Sequence, residues 1–160
     1  MRFKPTPELC YLAGLAGRSN EPERSIVGIR TQNDAIEERF IKYLLGQGVD
    51  TKKIMVVEDG NFRHIYAYHS KLARMIREIL DKRAELARKR GDLAASFLAG
   101  LFDANGHVTG NVITIRKIEK SDELLLELLG VHTVNAKILN IRSFLSLIGK
   151  KSLLAAGISL

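Results

Sequence analysis

The sequence predicts an α+β protein in which two consecutive repeats, each with an αββαββα-like order, build antiparallel sheets. Three motifs support this because they recur in the same order: Leu-Ala-Gly-Leu, Ile-Arg and Leu-Leu-Gly begin at Leu12, Ile29 and Leu44 and return at Leu98, Ile115 and Leu128. The first two offsets are 86 residues and the third is 84. Recurrence at a nearly constant spacing indicates a duplicated structural unit. We therefore predict a first repeat over residues 1–91 and a shortened second repeat over residues 92–160, joined in one compact domain.

The first repeat begins with a strong helix start signal. Thr6 can cap the helix, Pro7 suits its first position and Glu8 places an acid in its first turn. We expect this helix to run to about Gly17, and the polar residues 18–24 to form a loop.

The rest of the first repeat alternates strand and helix patterns. The predicted elements are a strand at Ser25–Thr31, a helix capped by Asn33 or Asp34, strands at Ile54–Val57 and Phe62–Tyr68 joined around Asp59-Gly60, and a long helix from Leu72 to Gly91.

The second repeat follows the same order in fewer residues. The predicted elements are a helix through Ala104, a hairpin of Gly106–Thr109 and Val112–Ile118, a helix capped by Ser121, a single strand at Thr133–Leu139 and a short helix at Arg142–Ile148. Because the first repeat has two strands where the second has Thr133–Leu139, the second repeat is predicted to lack one strand.

Charge and composition narrow the class of partner. The formal net charge is +7, and residues 1–90 carry 18 of the 25 basic side chains against 12 of the 18 acidic ones. A basic excess favours polyanions, of which nucleic acid is the commonest. No apolar run approaches the roughly 20 residues that span a bilayer, so no membrane partner is expected. Cys10 is the only cysteine, which excludes an internal disulfide and suits an intracellular protein.

The segment Phe97–Gly106 closely resembles the signature of the LAGLIDADG homing endonucleases, and Leu12–Asn20 looks like a degraded first copy. The order of the surrounding elements is similar to that family's repeat over nearly the whole chain. The resemblance implies a monomer with an internal pseudo-dimer, whose two sheets form a saddle over a DNA major groove. It also implies that the two signature helices lie at the pseudo-twofold axis, with their C-terminal ends near the scissile phosphates.

Small residues in both signature helices predict an unusually close contact between them. Helices commonly pack with axes roughly 8–10 Å apart, and glycine or alanine at the contact allows a closer approach. The residues predicted to form this interface are Ala13, Gly14, Gly17, Ala99, Gly100 and Ala104.

The resemblance also identifies where this chain departs from the active family members. Their second-to-last signature residue is acidic, and the two carboxylates hold divalent metal ions that activate water. Here those positions are Ser19 and Asn105, whose neutral side chains are poor ligands for Mg²⁺. Asp103 lies two residues before Asn105 and should not share its face of a helix, so a local capping or turn role is expected. We therefore predict no metal, no cofactor and no cleavage.

Alternation along the strands selects the side chains that can face nucleic acid. On Phe62–Tyr68, His64 and Tyr66 share one face and Arg63 lies on the other, while Arg30 and Arg116 are related by the repeat. Arginine can bind a guanine edge or a phosphate. The residues predicted to bind nucleic acid are Arg30, Lys52, Lys53, Arg63, His64, Tyr66, Thr114 and Arg116. Core packing is the alternative for Tyr66, and Lys52 and Lys53 are expected to begin a strand.

Three hypotheses for function follow. The favoured one is a non-catalytic protein that binds nucleic acid, chiefly duplex DNA, with RNA as the alternative ligand. The second is an active or nicking endonuclease that requires Mg²⁺ and draws its carboxylates from elsewhere in the chain. The third is a protein-interaction module, motivated by the apolar tail Leu153–Leu160.

Overall fold

The computed structural model describes residues 1–89 and 91–158. The helices are α1 (Pro7–Ala16), α2 (Asp34–Gly46), α3 (Ser70–Asp81), α4 (Ala84–Lys89), α5 (Gly91–Asn105), α6 (Lys120–Leu128), α7 (Ile141–Ile148) and α8 (Leu153–Ala156). The strands are β1 (Ile26–Thr31), β2 (Ile54–Asp59), β3 (Phe62–Tyr68), β4 (Gly106–Thr109), β5 (Val112–Ile115), β6 (Thr133–Val134) and β7 (Lys137–Ile138).

The two sheets share one antiparallel topology. The first has the order β1-β3-β2 and the second has the order β4-β5-β7-β6, so β5, β7 and β6 pair as β1, β3 and β2 do. The first-repeat counterpart of the β4–β5 pairing is reduced to one isolated antiparallel bridge between Glu21 and Ile26. The predicted α+β fold of two related repeats is therefore confirmed.

The helices α1 and α5 pack directly on each other at the centre of the molecule. A Cβ atom added to Gly14 would lie 2.7 Å from the Leu101 nitrogen and closer still to the Phe97 carbonyl oxygen. A Cβ atom added to Gly100 would lie 2.9 Å from the Leu15 nitrogen and closer still to the Tyr11 oxygen. These contacts are reciprocal under the 86-residue offset, so the two helices are related by a pseudo-twofold axis.

The other predicted interface residues divide into two groups. Ala13 and Ala99 are fully buried in the core that α1 and α5 share. The prediction was wrong for Gly17, because a Cβ there would meet the side chain of Leu80 on α3 at 2.9 Å. It was also wrong for Ala104, which is exposed because it lies in the last turn of α5, one residue before the helix ends.

Local capping signals explain where the first elements begin. The Thr6 hydroxyl accepts a hydrogen bond from the Leu9 nitrogen at 3.2 Å, and the Asn33 side chain accepts one from the Ile36 nitrogen at 3.1 Å. Both satisfy backbone donors that the first helical turn leaves free. Gly60 has φ +63°, the left-handed conformation that the β2–β3 turn needs.

The predicted long third helix is interrupted between α3 and α4. Arg83 turns inward at this break, where its Nε donates to the Leu80 carbonyl at 2.8 Å and its guanidinium pairs with Asp122. Asp122 in turn accepts from the Glu119 nitrogen at 3.1 Å and completes a capping box. Glu119 rather than the predicted Ser121 therefore caps α6, since the buried pair with Arg83 fixes Asp122 at that position.

The second repeat retains the strand that the sequence analysis predicted to be missing. The segment predicted as a single strand, Thr133–Leu139, folds into a tight hairpin of β6 and β7. Asn135 and Ala136 form its turn with φ +52° and +67°, a left-handed pair that apolar periodicity does not reveal. The repeat is therefore shortened through two-residue strands and not through loss of a strand.

The apolar tail packs against its own chain. Leu153, Leu154 and Ile158 contact the core, and Ala155 is buried. Residues 159 and 160 of the segment Leu153–Leu160 lie outside the described residues. This packing removes the observation that motivated a protein-interaction module. No helix within residues 1–89 and 91–158 is long and apolar enough to cross a membrane.

The single thiol provides a probe of this core. Cys10 is fully buried on α1, and burial, aided by the negative charge of Asp92, raises its pKa to about 12. Because the thiolate is the reactive form, we expect a thiol reagent at about pH 8 to leave the folded protein unmodified and to label the protein in denaturant. The absorbance of the thiol that the reagent releases measures the rate of labelling. Labelling of the folded protein faster than its global unfolding would contradict this packing.

Candidate nucleic-acid interface

The ends of the two central helices line one cavity of about 360 Å³. Ser19 lies in the 3-10 turn Gly17–Ser19 that follows α1, and Asn105 is the last residue of α5. The cavity wall also contains three basic side chains, those of Arg18, Arg30 and Lys117. The structure therefore brings Ser19 and Asn105 together, with three basic side chains and the carboxylate of Asp103 in the same lining.

Two of these cations have no acidic partner among the described residues. Arg18 and Lys117 are exposed, and neither forms an ion pair within residues 1–89 and 91–158. Lys117 has φ +54° because β5 ends at Ile115 and the chain turns sharply there. This early strand end corrects the predicted strand Val112–Ile118.

The donor groups at this cavity do not fit a divalent metal ion. Mg²⁺ in proteins is usually held by carboxylates, whereas Ser19 offers a hydroxyl and Asn105 an amide. The adjacent side chains of Arg18 and Lys117 are positively charged and would repel a metal cation. Among the described residues, no cluster of three or more His, Cys, Asp or Glu side chains could hold a metal elsewhere.

The carboxylate of Asp103 cannot compensate, because four hydrogen bonds already occupy it. One oxygen accepts from the Tyr11 hydroxyl at 2.5 Å and from the Leu153 nitrogen at 3.0 Å. The other accepts from the Ser152 hydroxyl at 2.6 Å and from the Leu154 nitrogen at 3.0 Å. The predicted local role was wrong, since Asp103 anchors the start of α8 from 50 residues away.

The first sheet presents an aromatic surface on the side away from the helices. We call this the first open face, formed by the alternate side chains Ile26, Arg30, Met55, Val57, Asp59, Phe62, His64, Tyr66 and Tyr68. The rings of His64 and Tyr66 lie 4.9 Å apart and those of Tyr66 and Tyr68 lie 5.8 Å apart. Tyr68 is 47% exposed, so this row lies at the surface and not in the core.

Arg30 lies where the first open face meets the cavity at the helix ends. Its guanidinium forms an ion pair with Asp59 at 2.8 Å and lies over the Phe62 ring at 5.2 Å from the centroid. Both contacts are largely solvent-exposed, so water and a ligand can compete for the guanidinium.

The second sheet presents a mixed surface, the second open face, on which polar side chains lie beside the exposed Val112 and Val134. Register places Thr114 opposite both His107 and Lys137, and Lys137 opposite Val134. Arg116 extends this face beyond β5 and donates to His107 Nδ1 at 2.9 Å. Because Nδ1 accepts this bond, the neutral ring carries its proton on Nε2, which lies 2.8 Å from the Thr109 hydroxyl.

The structure separates the repeat-related arginines. Arg30 lines the cavity at the helix ends and Arg116 does not. Their partners also differ, because Arg30 pairs with a carboxylate and Arg116 with an imidazole. The two open faces are therefore related in topology but not in chemistry.

Three other residues predicted to bind nucleic acid lie outside the first open face. Arg63 points to the helix side of β3 and pairs with Asp34 and Glu37 of α2, so it does not reach the first open face. Lys52 and Lys53 belong to a 3-10 turn, Thr51–Lys53, because the Asp50 carboxylate caps that turn before β2 begins. Both lysines are exposed beside the sheet.

Sequence reasoning missed Arg18, Lys117 and Lys137. Arg18 stands next to Ser19 in the degraded signature, so its position at the helix end could have indicated it. Lys117 depends on a left-handed residue and Lys137 on the β6–β7 turn, and neither feature follows from periodicity.

Sequence comparison finds no matching family model and no matching curated protein. Solved structures do match. The crystal structure of I-DmoI with DNA and Ca has a TM-score of 0.68 at 15% identity, covering 94% of this chain and 95% of that chain. Mesophilic variants of the homing endonuclease I-DmoI give 0.65 at 16% identity, covering 89% of this chain and 94% of that chain.

A second group of solved structures has the same fold. The N-terminal LAGLIDADG domain of DUF199/WhiA has a TM-score of 0.60 at 17% identity, covering 97% of this chain and 86% of that chain. These similarities show that the chain has a LAGLIDADG homing-endonuclease-like fold.

Proposed function

We propose that this chain, with its LAGLIDADG homing-endonuclease-like fold, is a monomeric protein that binds duplex DNA without cutting it. The observation that carries the proposal is the composition of the central cavity. Ser19 and Asn105 occupy the helix ends, and Arg18 and Lys117 lie beside them without an ion pair to any described acidic residue.

Three features support DNA as the ligand. The homing endonuclease I-DmoI, which shares this fold, is seen in a complex with DNA. The paired helices are accompanied by two sheets of related strand order, each with an open face. Two such faces could contact a duplex on both sides of the central helices. The net charge of +7 adds a field that attracts phosphates.

The loss of cutting is supported by the chemistry at the helix ends. Hydrolysis of a phosphodiester by metal ions needs ligands that hold the ions beside the attacking and leaving oxygens. A hydroxyl and an amide next to two cations do not supply such ligands. Guanidinium and ammonium groups in the same place can instead contact a backbone phosphate directly.

Short strands limit how many bases the second open face can contact. β6 and β7 have two residues each, and β4 and β5 have four. Few side chains can therefore form the hydrogen bonds to base edges that carry sequence information. We infer that phosphate contacts supply most of the affinity and that sequence specificity is modest.

A salt series tests the proposal. For a labelled random-sequence duplex, log affinity should fall linearly with log salt, with a slope of roughly −0.9 for each phosphate neutralised. The Arg116→Gln and Lys137→Gln variants should each make the slope shallower by about 0.9, because each removes one cation from the second open face. Fluorescence anisotropy across the salt range measures both quantities.

Lys42 provides the matched control because it is an exposed cation on α2, a helix on the opposite side of the first sheet from its open face. Lys42→Gln should leave the slope unchanged. Equal effects of all three substitutions would contradict binding through the sheet face. Absence of binding to duplex DNA at the lowest salt, or much tighter binding to matching RNA, would overturn the choice of ligand.

A further inference from the structure

A second cavity, of about 560 Å³, lies over the first open face. Its lining contains the aromatic side chains of His64, Tyr66 and Tyr68. The same lining contains the guanidinium groups of Arg18, Arg24 and Arg30. Flat rings and guanidinium groups are the two kinds of surface that a nucleotide contacts through its base and its phosphate.

Gly28 makes room for the aromatic side chains of this cavity. A Cβ atom at this position would lie 2.8 Å from the Tyr66 Cβ and 3.3 Å from the His64 Nε2. Its absence lets these two side chains lie across β1 instead of being pushed away from it. Tyr66 and Tyr68 then pack edge to face, with an angle of 81° between their rings.

The cavity lining carries a net positive charge from its arginines. Arg18 forms no ion pair with a described residue, and Arg24 pairs only with Glu21, at 3.7 Å with both groups largely exposed. Among the described residues of the lining, Glu21 is the only acidic one. An exposed pair at this distance contributes little, so Arg24 is available to a phosphate.

We propose that this cavity binds one unpaired nucleotide, with its base against Tyr66 and Tyr68 and its phosphate on Arg18 and Arg24. The inference deepens the proposed function and rests on it. Bases inside an intact helix are stacked on their neighbours and cannot present a face to the tyrosines, whereas an unpaired base can leave the stack. The same chemistry suits a nucleotide within a strand and a free nucleotide, and we assign the strand.

The test compares two labelled duplexes of the same sequence, one fully paired and one with a single extra adenine at its centre. We expect the wild-type protein to bind the interrupted duplex roughly tenfold more tightly, as stacking of one base on an aromatic side chain allows. The Tyr66→Ala/Tyr68→Ala variant should bind both duplexes equally. The Tyr66→Phe/Tyr68→Phe variant keeps the rings and should keep the preference.

Leu128→Ala is the control variant because Leu128 is an exposed apolar residue on α6, outside the cavity. Its preference should equal that of the wild type. A second measurement does not depend on whether the alanine variants fold. Since the chain has no tryptophan, the separate variant Tyr68→Trp introduces a single fluorescent reporter into the cavity. Its fluorescence should be quenched by the interrupted duplex far more than by the paired one.

The outcomes separate this inference from the proposed function. Equal wild-type affinity for the two duplexes, with equal quenching, overturns the nucleotide site and leaves duplex binding intact. Binding to neither duplex overturns both. Adenosine monophosphate alone should quench the Tyr68→Trp variant only at millimolar concentration. Saturation at micromolar concentration would overturn the assignment to a strand and identify a free nucleotide as the ligand.

Discussion

Replacing Gly100 with alanine is expected to destabilise the protein by about 3 kcal/mol or more. The new Cβ would lie 2.9 Å from the Leu15 nitrogen and closer still to the Tyr11 carbonyl oxygen. Both atoms belong to the backbone of α1, so no side-chain rotation can relieve the overlap. Alanine is intrinsically better than glycine in a helix by about 1 kcal/mol, and a net loss therefore reports the forced separation of the two helices.

Urea unfolding followed by circular dichroism measures the effect, with Gly14→Ala as the symmetry-related variant. Gly91→Ala is the control, because a Cβ at that position meets no packed atom of the described residues within 4 Å. We expect Gly14→Ala to match Gly100→Ala in sign and approximate size, and Gly91→Ala to be neutral or slightly stabilising. Wild-type stability of the Gly100→Ala protein would contradict the backbone contact between α1 and α5.

Replacing Asp103 with alanine is expected to cost about 4 kcal/mol or more. The substitution leaves four buried or half-buried donors without an acceptor, namely two hydroxyls and two backbone N–H groups. Each unsatisfied donor costs about 1–3 kcal/mol. The loss should be accompanied by release of α8, whose first turn Asp103 holds. Asp103→Asn should lie between the alanine variant and the wild type, because an amide retains only one acceptor oxygen.

The Tyr11 hydroxyl gives this network a signature at alkaline pH. Burial, followed by the charge of Asp103 and their hydrogen bond, raises the pKa of Tyr11 well above its usual value. A group whose pKa is raised on folding contributes stability that is fully present below its unfolded pKa, near 10, and is lost as pH rises above it. Tyr11→Phe should therefore lower stability by about 1–2 kcal/mol near neutral pH and flatten its decline above about pH 10.

Urea midpoints measured from about pH 7 to pH 11 test both statements, with Ser152→Ala as the variant that removes a hydrogen bond without removing the phenol. Ser152→Ala should lower stability and leave the alkaline decline unchanged. An alkaline decline that persists in full in Tyr11→Phe would show that other groups cause it. A small effect of Asp103→Ala would contradict the anchoring of α8.

The repeat carried most of the information from which the fold could be predicted. A motif that recurs at one offset specifies two similar units, and Gly14 and Gly100 marked where those units meet. The caps at Thr6 and Asn33 were also predictable, because a side-chain oxygen before an apolar helix satisfies a local need.

The features that sequence reasoning missed depend on contacts between distant residues or on left-handed turns. At the break in the third helix, Arg83 pairs with Asp122, which lies 39 residues away. No local sequence pattern contains both residues, so the break could not be predicted. The sequence shows that Asp103 can accept hydrogen bonds, which suggested a local cap. It does not show that the donors come from the start of α8. The β6–β7 turn places a left-handed alanine at position 136, a conformation that residue type disfavours.

The binding residues show the same division. Strand alternation placed His64 and Tyr66 on one face of β3, and the structure puts both on the first open face. Alternation also placed Arg63 on the other side, where the acids of α2 pair with it. Arg18 and Lys117 surround the helix ends only because two loops from different repeats converge there. Such convergence is a property of the tertiary fold.

The most direct test of the account is to incubate a labelled duplex with the protein, with and without Mg²⁺, at a salt concentration where anisotropy shows the duplex to be bound. The same samples are then separated on a denaturing gel. We predict bound duplexes whose strands remain intact in both conditions, because Ser19, Asn105, Arg18 and Lys117 offer no site for the metal. New strand ends that form only with Mg²⁺ would contradict the account and identify the protein as an endonuclease.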